Sequence, residues 1–129
     1  MRRRDKELTD PERIQSILDD SLFCHLAMCD AGGRPYCLPI CFVSHEGRII
    51  LHSANEGRKI EVLHDNPRVC LVVERNCHLI RADTPCGYGM AYESVLIEGR
   101  CRPGRSGKIL CTGDLIGKIC RSKWLSIHG

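Results

Sequence analysis

The chain has 129 residues, 43% hydrophobic and 27% charged, with a net charge of +3. That is enough for one domain with a real core but not for two, in an ordinary globular composition. No apolar run approaches the ~20 residues of a membrane span, and the basic start Met1-Arg2-Arg3-Arg4 is not followed by an apolar signal region, so the expected setting is the cytoplasm. The charge is unevenly placed: Arg105, Lys108, Lys118, Arg121 and Lys123 stand against Asp114 alone after residue 104, which leaves the rest of the chain slightly acidic and without a basic footprint for nucleic acid.

In chain order, Thr9-Asp10-Pro11-Glu12 reads as a helix start with a capping residue, an early proline and an acidic first turn. Ile14, Ile17 and Leu18 follow at helical spacing, and Asp19-Asp20-Ser21 closes the element. Phe23 to Met28 reads as a strand, Asp30-Ala31-Gly32-Gly33 as a turn, and Tyr36 to Val43 as a second strand. Pro39 cannot donate to a ladder, so this strand is expected at an edge, bulged, or opened towards a ligand. His45-Glu46-Gly47 turns into a third strand, Arg48 to His52, and a helix is expected from about Glu56 to His64, stopped by Asn66-Pro67. Val69 to Glu74, Cys77 to Arg81 and Ala91 to Arg102 read as three more strands. Strand after strand with only two short helices points to an antiparallel barrel. Beyond that, Gly104, Gly107, Gly113 and Gly117 interrupt every candidate helix.

Ten cysteines without an export signal argue for reduced thiols rather than disulfides. Their spacing contains no Cys-x-x-Cys, so core packing is a better reading than a zinc or iron–sulfur site. Cys37 and Cys41 are expected to share one face of a strand as small buried residues.

The segment Ile49-Ile50-Leu51-His52-Ser53-Ala54-Asn55-Glu56-Gly57-Arg58-Lys59-Ile60 carries the chemistry. A strand ends at His52-Ser53, and Arg58 and Lys59 fall in the first turn of the following helix. Cations there oppose the helix dipole. A bound anion removes the conflict, because free backbone N–H groups and both cations then converge on it. The segment reads as a phosphate grip, the plain alternative being a helix start whose cations face water. His52 alone would be an ordinary strand-end histidine; its neighbours give it weight. Gly113-Asp114-Leu115-Ile116-Gly117-Lys118-Ile119 and Gly104-Arg105-Ser106-Gly107-Lys108-Ile109 are too short for a nucleotide phosphate loop and lack its Ser/Thr. Gly87-Tyr88-Gly89 is too short for a dinucleotide fingerprint, and spacing proposes no Ser/His/Asp or Cys/His triad.

Three blocks, Tyr36-Cys37-Leu38-Pro39-Ile40-Cys41-Phe42, Leu51-His52-Ser53-Ala54-Asn55-Glu56-Gly57-Arg58-Lys59 and Asn66-Pro67-Arg68-Val69, resemble the FMN-binding split-barrel family. Within it they are most similar to the pyridoxamine phosphate oxidase-related branch that includes the nitroimidazole-resistance proteins. Pro85-Cys86-Gly87-Tyr88-Gly89-Met90-Ala91-Tyr92-Glu93-Ser94-Val95 is similar to a further block of that branch. The resemblance implies a six-stranded, mostly antiparallel split β-barrel with two peripheral helices over residues 1–104. It implies FMN as cofactor, its phosphate held by Arg58 and Lys59 with help from Ser53, Ala54 as a further cofactor-binding residue, and backbone groups around Pro39, Ile40, Cys41 and Phe42 lining the flavin ring. His52 is the implied catalytic residue. A homodimer with flavin at the interface is implied too, with Tyr92 and Ser94 reaching the partner's cofactor.

The implied activity is that of an oxidoreductase passing electrons from NAD(P)H through FMN to a small organic acceptor such as a nitroaromatic, the alternative being a non-catalytic flavin- or haem-binding protein. The flavin would supply the redox chemistry and the protein the position, electrostatics and a proton. Residues 105–129 do not resemble the family and read as an atypical basic tail, which leaves open a barrel that lacks a strand and exposes an edge.

Overall fold

The computed structural model describes residues 6–8, 10–45, 47–53 and 57–123. Its elements are β1 (Lys6–Leu8), α1 (Pro11–Asp20), β2 (Phe23–Cys29), β3 (Pro35–His45), β4 (Arg48–His52), α2 (Arg58–Asp65), β5 (Arg68–Ile80), β6 (Gly89–Pro103) and β7 (Lys108–Lys123). The strands form one sheet in the order β1-β7-β4-β3-β2-β5-β6, and a further β6–β7 pairing closes six of them into a ring. All pairings are antiparallel. β1 lies outside the ring, along β7.

The helix starts as its sequence dictates. The Asp10 side chain accepts a hydrogen bond from the Glu12 backbone N–H at 3.1 Å, satisfying a donor that the first turn leaves without a partner. Ile14, Ile17 and Leu18 are buried against the barrel. Inside the ring, Leu26, Leu51, Leu71, Val95, Ile97 and Ile109 are essentially sealed from water, one from nearly every strand at alternating positions, as a filled small barrel requires.

The expected six-strand barrel is present, but its strands are apportioned differently. The two short strands expected at Val69–Glu74 and Cys77–Arg81 are one, β5, and the register shift between Arg75 and His78 marks a bulge within it. Asn76 takes the left-handed conformation there, at φ 58°, which asparagine tolerates better than most residues.

The sixth place belongs to β7, which corrects the reading of residues 105–129 as a tail outside the barrel. β7 pairs with β6 from Pro103↔Ile109 to Gly89↔Lys123 and with β4 from Ile49↔Cys111 to His52↔Lys108. Its glycines exclude a helix but suit this strand. Gly113 stands directly opposite Gly99, and a Cβ on Gly99 would fall 2.6 Å from the Gly113 Cα, so β6 and β7 approach at a distance that only two glycines allow. Ser106 and Gly107 make the hairpin turn, both at positive φ, 58° and 75°, while Arg105 C=O accepts from Lys108 N–H at 3.2 Å. That is the turn geometry whose twist matches the flanking strands.

The expectation of reduced cysteines throughout is corrected in one place. Cys101 and Cys111 are directly opposite on β6 and β7, with Cα atoms 4.1 Å apart, and are joined by a disulfide. They are ten residues apart, and no spacing rule singles out such a pair. Cys24 is a buried core thiol whose pKa burial pushes up to about 12. Cys37 and Cys41 do share a face, but it is the exposed outer one.

Candidate functional site

β4 ends at His52, exposed and directly opposite Lys108 of β7, which is also exposed. Ser53 follows, half-buried, and its backbone N–H donates to the Gly107 carbonyl at 2.7 Å. This bond ties the strand exit to the β6–β7 turn. Ala54 lies outside the described residues.

α2 opens after Gly57, whose φ of 124° is a glycine conformation, and no side chain caps it. Its first backbone N–H groups have no intrahelical acceptors. Arg58 is the first helical residue, exposed, its guanidinium carbon 4.5 Å from the centroid of the Tyr36 ring on β3. Such a cation–π contact holds the side chain in place. Lys59 is half-buried beside it. Among the described residues neither cation has a carboxylate partner within ion-pair distance, and the helix N-terminus adds positive charge of its own. The Ile60, Val62 and Leu63 side chains anchor the helix to the core.

The neighbouring strand is incomplete in a specific way. β3 pairs with β2 from Pro35 to Cys41, but with β4 only from Phe42 to His45. Among the described residues the other edge of Pro35–Cys41 is therefore unpaired, and it lies at the end of β3 that Tyr36 and Arg58 mark. Pro39 sits in the middle of this stretch, opposite His25 of β2, so the expectation of a strand opened on one side is met. Pro39 and Cys41 are exposed, whereas the Ile40 and Phe42 side chains point into the core. Ile40 and Phe42 can therefore offer backbone groups to a ligand but not side chains. Among the described residues, no three His, Cys, Asp or Glu side chains gather as a metal site.

Residues 10–108 match the family model described as pyridoxamine 5'-phosphate oxidase. The chain belongs to that family. No curated protein matches it in sequence, but solved structures do in fold. A proposed 5-nitroimidazole antibiotic resistance protein from Bacteroides thetaiotaomicron is 24% identical, with a TM-score of 0.77 over 92% of this chain and 89% of that one. A FAD-binding protein from Mesorhizobium loti is 19% identical, with a TM-score of 0.67 over 92% and 97%. A FAD and haem binding protein from Mycobacterium smegmatis is 16% identical, with a TM-score of 0.75 over 92% and 75%. At these identities the likeness is one of architecture, the split barrel.

For this oxidase-family chain, the structure places Arg58 against Tyr36 at one end of the unpaired β3 stretch, and His52 and Ser53 follow the β4 pairing that borders its other end. It does not bring Tyr92 and Ser94 to them. Both are half-buried on the outer side of β6, and on either path round the ring two strands intervene between β6 and β3. Glu93, between them, faces inward and is 7% exposed. Arg13 of α1 donates to its Oε2 at 2.6 Å, Asn76 to its Oε1 at 2.8 Å and Arg75 to its Oε1 at 3.3 Å. Burial alone would raise its pKa, but these donors outweigh burial and hold the carboxyl below the ordinary glutamate value. Sequence reasoning missed Tyr36 as the support of Arg58, and Gly107 and Lys108 as neighbours of Ser53 and His52. Their proximity depends on the β4–β7 register, which has no local signal.

Proposed function

We propose that this chain binds FMN, with the phosphate on Arg58, Lys59 and the first turn of α2, and the ring along the unpaired edge of β3. The observation that carries this is the placement, among the described residues, of two cations without carboxylate partners at an uncapped helix start, beside a strand open on one edge. Two cations, free N–H groups and an open strand edge fit a phosphate attached to a flat, hydrogen-bonding ring. When bound, FMN supplies the electron and hydride chemistry. The protein's part is to fix the phosphate, to offer β3 backbone groups to the ring, and to place the His52 imidazole where it gives a proton to the acceptor. The reaction is transfer of electrons from NAD(P)H to a small organic acceptor, with nitroaromatics as the first class to screen, in the cytoplasm.

The functional unit is a homodimer. The outer face of β2 and β3 is unusually apolar, with Phe23 and Val43 exposed beside Pro39 and Cys41. A second copy covering that face would remove the patch from water. It would also explain how Tyr92 and Ser94, remote from the grip in their own chain, meet a cofactor in the partner's.

The test is the visible absorption spectrum of the purified protein, before and after FMN is added and excess removed. Flavin bands that remain with the protein, and that are lost in Arg58→Ala/Lys59→Ala, support the reading. A colourless protein that ignores FMN overturns it, and a Soret band moves the assignment to haem. His52→Ala should keep flavin while turnover of NAD(P)H with a nitroaromatic falls; unchanged turnover removes the histidine's role.

A further inference from the structure

A second cavity, of ≈350 Å³, lies between α2 and the β6–β7 hairpin. Ile60 and His64 line it from the helix, and Pro103, Gly104, Arg105, Ser106, Gly107 and Lys108 from the hairpin. It is not the grip. Arg58 leans onto Tyr36 of β3, whereas Ile60 and His64, four residues apart, share another flank of the same helix.

The chemistry of this cavity is one-sided. Arg105, Lys108 and His64 supply the charged and titratable groups, and no carboxylate is among the lining residues. Among the described residues, neither Arg105 nor Lys108 makes an ion pair. Two cations at one cavity repel each other unless an anion sits between them. The wall itself is built for close approach. Gly104 and Gly107 have no side chains, and the tight turn holds backbone groups at the rim, with Gly104 N–H donating to Lys108 C=O at 2.7 Å. Buried Ile60 and half-buried Pro103 give an apolar floor. A guanidinium fork, an ammonium and an imidazole over such a floor suit a phosphate group on a small organic body.

We infer that this cavity is a phosphate site distinct from the flavin grip, taking a small phosphate ester or free phosphate. The inference does not depend on the flavin reading, because the cavity shares no side chain with Arg58 or Lys59. A ligand there touches the turn whose Gly107 carbonyl holds the Ser53 amide. Occupancy therefore bears on the strand exit next to His52.

The experiment is calorimetric titration with inorganic phosphate and with glycerol 3-phosphate, at constant ionic strength set by chloride. It is run on the wild-type protein, on Arg58→Ala/Lys59→Ala and on Arg105→Glu. The expected result is saturable binding that survives Arg58→Ala/Lys59→Ala and weakens at least about tenfold in Arg105→Glu. Tighter binding of the ester than of phosphate assigns an organic ligand, and equal binding assigns phosphate itself. No binding to wild type, or binding that Arg105→Glu leaves unchanged, overturns the inference. Arg105→Glu keeping its far-ultraviolet circular dichroism excludes unfolding as the cause of any loss. Failure of the protein to take up FMN would sink the flavin reading while leaving this titration fully readable.

Discussion

The two sides of this barrel are built on opposite terms. Along the paired lengths of β6 and β7, away from their hairpin turn, polar and close-packed groups are matched internally: Glu93 is surrounded by donors, Cys101 is bonded to Cys111, and Gly99 and Gly113 let the strands meet closely. Around β3, β4 and the start of α2, demands are left open among the described residues: a strand edge without a partner, a helix without a side-chain cap, cations without carboxylates. A protein this small has little stability to spare, so the closed side supplies the rigidity that permits the other to remain receptive. Binding sites are commonly held this way, as unsatisfied groups on a frame that does not yield.

If that division is right, the largest effect of a substitution should come from prying the closed side apart. Gly99→Val would drive a branched side chain into the Thr112–Gly113 backbone, and should cost about 3 kcal/mol or more, read as a lower urea midpoint or loss of soluble protein. Glu93→Gln comes next. It removes the carboxylate that Arg13 holds and one of the two that Arg75 holds, Asp20 remaining, and about 2 kcal/mol is expected because Arg13 is half exposed. The lowered pKa of Glu93 sets the pH dependence. Its ionised form stabilises the fold fully above the ordinary glutamate pKa, and this contribution fades as pH falls through the lowered value. The deficit of Glu93→Gln should therefore be large at neutral pH and shrink in acid, measured by denaturation at several pH values.

Cys101→Ala/Cys111→Ala should cost about 2 kcal/mol, since the bond closes a short loop already held by a hairpin, and reduction of the wild type should have a matching effect on its melting temperature. On the open side, Arg58→Ala should move stability by no more than about 0.5 kcal/mol. Its effect should appear in FMN retention instead. An Arg58→Ala variant that unfolds readily but keeps its flavin would reverse the assignment of the two sides.

The sequence made the open side more legible than the closed one, for a physical reason. The proposed grip is written within a dozen consecutive residues, where a strand end, a glycine and two cations conflict with the helix dipole unless an anion is present. Pro39 likewise announces an imperfect strand. The closed side is written in residues far apart in the chain. Gly113 reads as a helix breaker until Gly99 is opposite it, and Glu93 as one more charge on a strand until a bulge at Asn76 and a helix at Arg13 surround it. Cys101 and Cys111 are two of ten cysteines until register selects them. Periodicity also divided β5 in two, because a bulge interrupts alternation as a loop does.

β7 is the neighbour of three strands, β1, β4 and β6. During synthesis this has a temporal consequence. Until residues 108–123 have left the ribosome, β4 and β6 each lack one of their two ring partners, and β1 lacks the strand it pairs with. The nascent chain must carry exposed strand edges until β7 arrives. Closure of the ring thus follows all its other strands, and it is brought about by one strand that three earlier ones await.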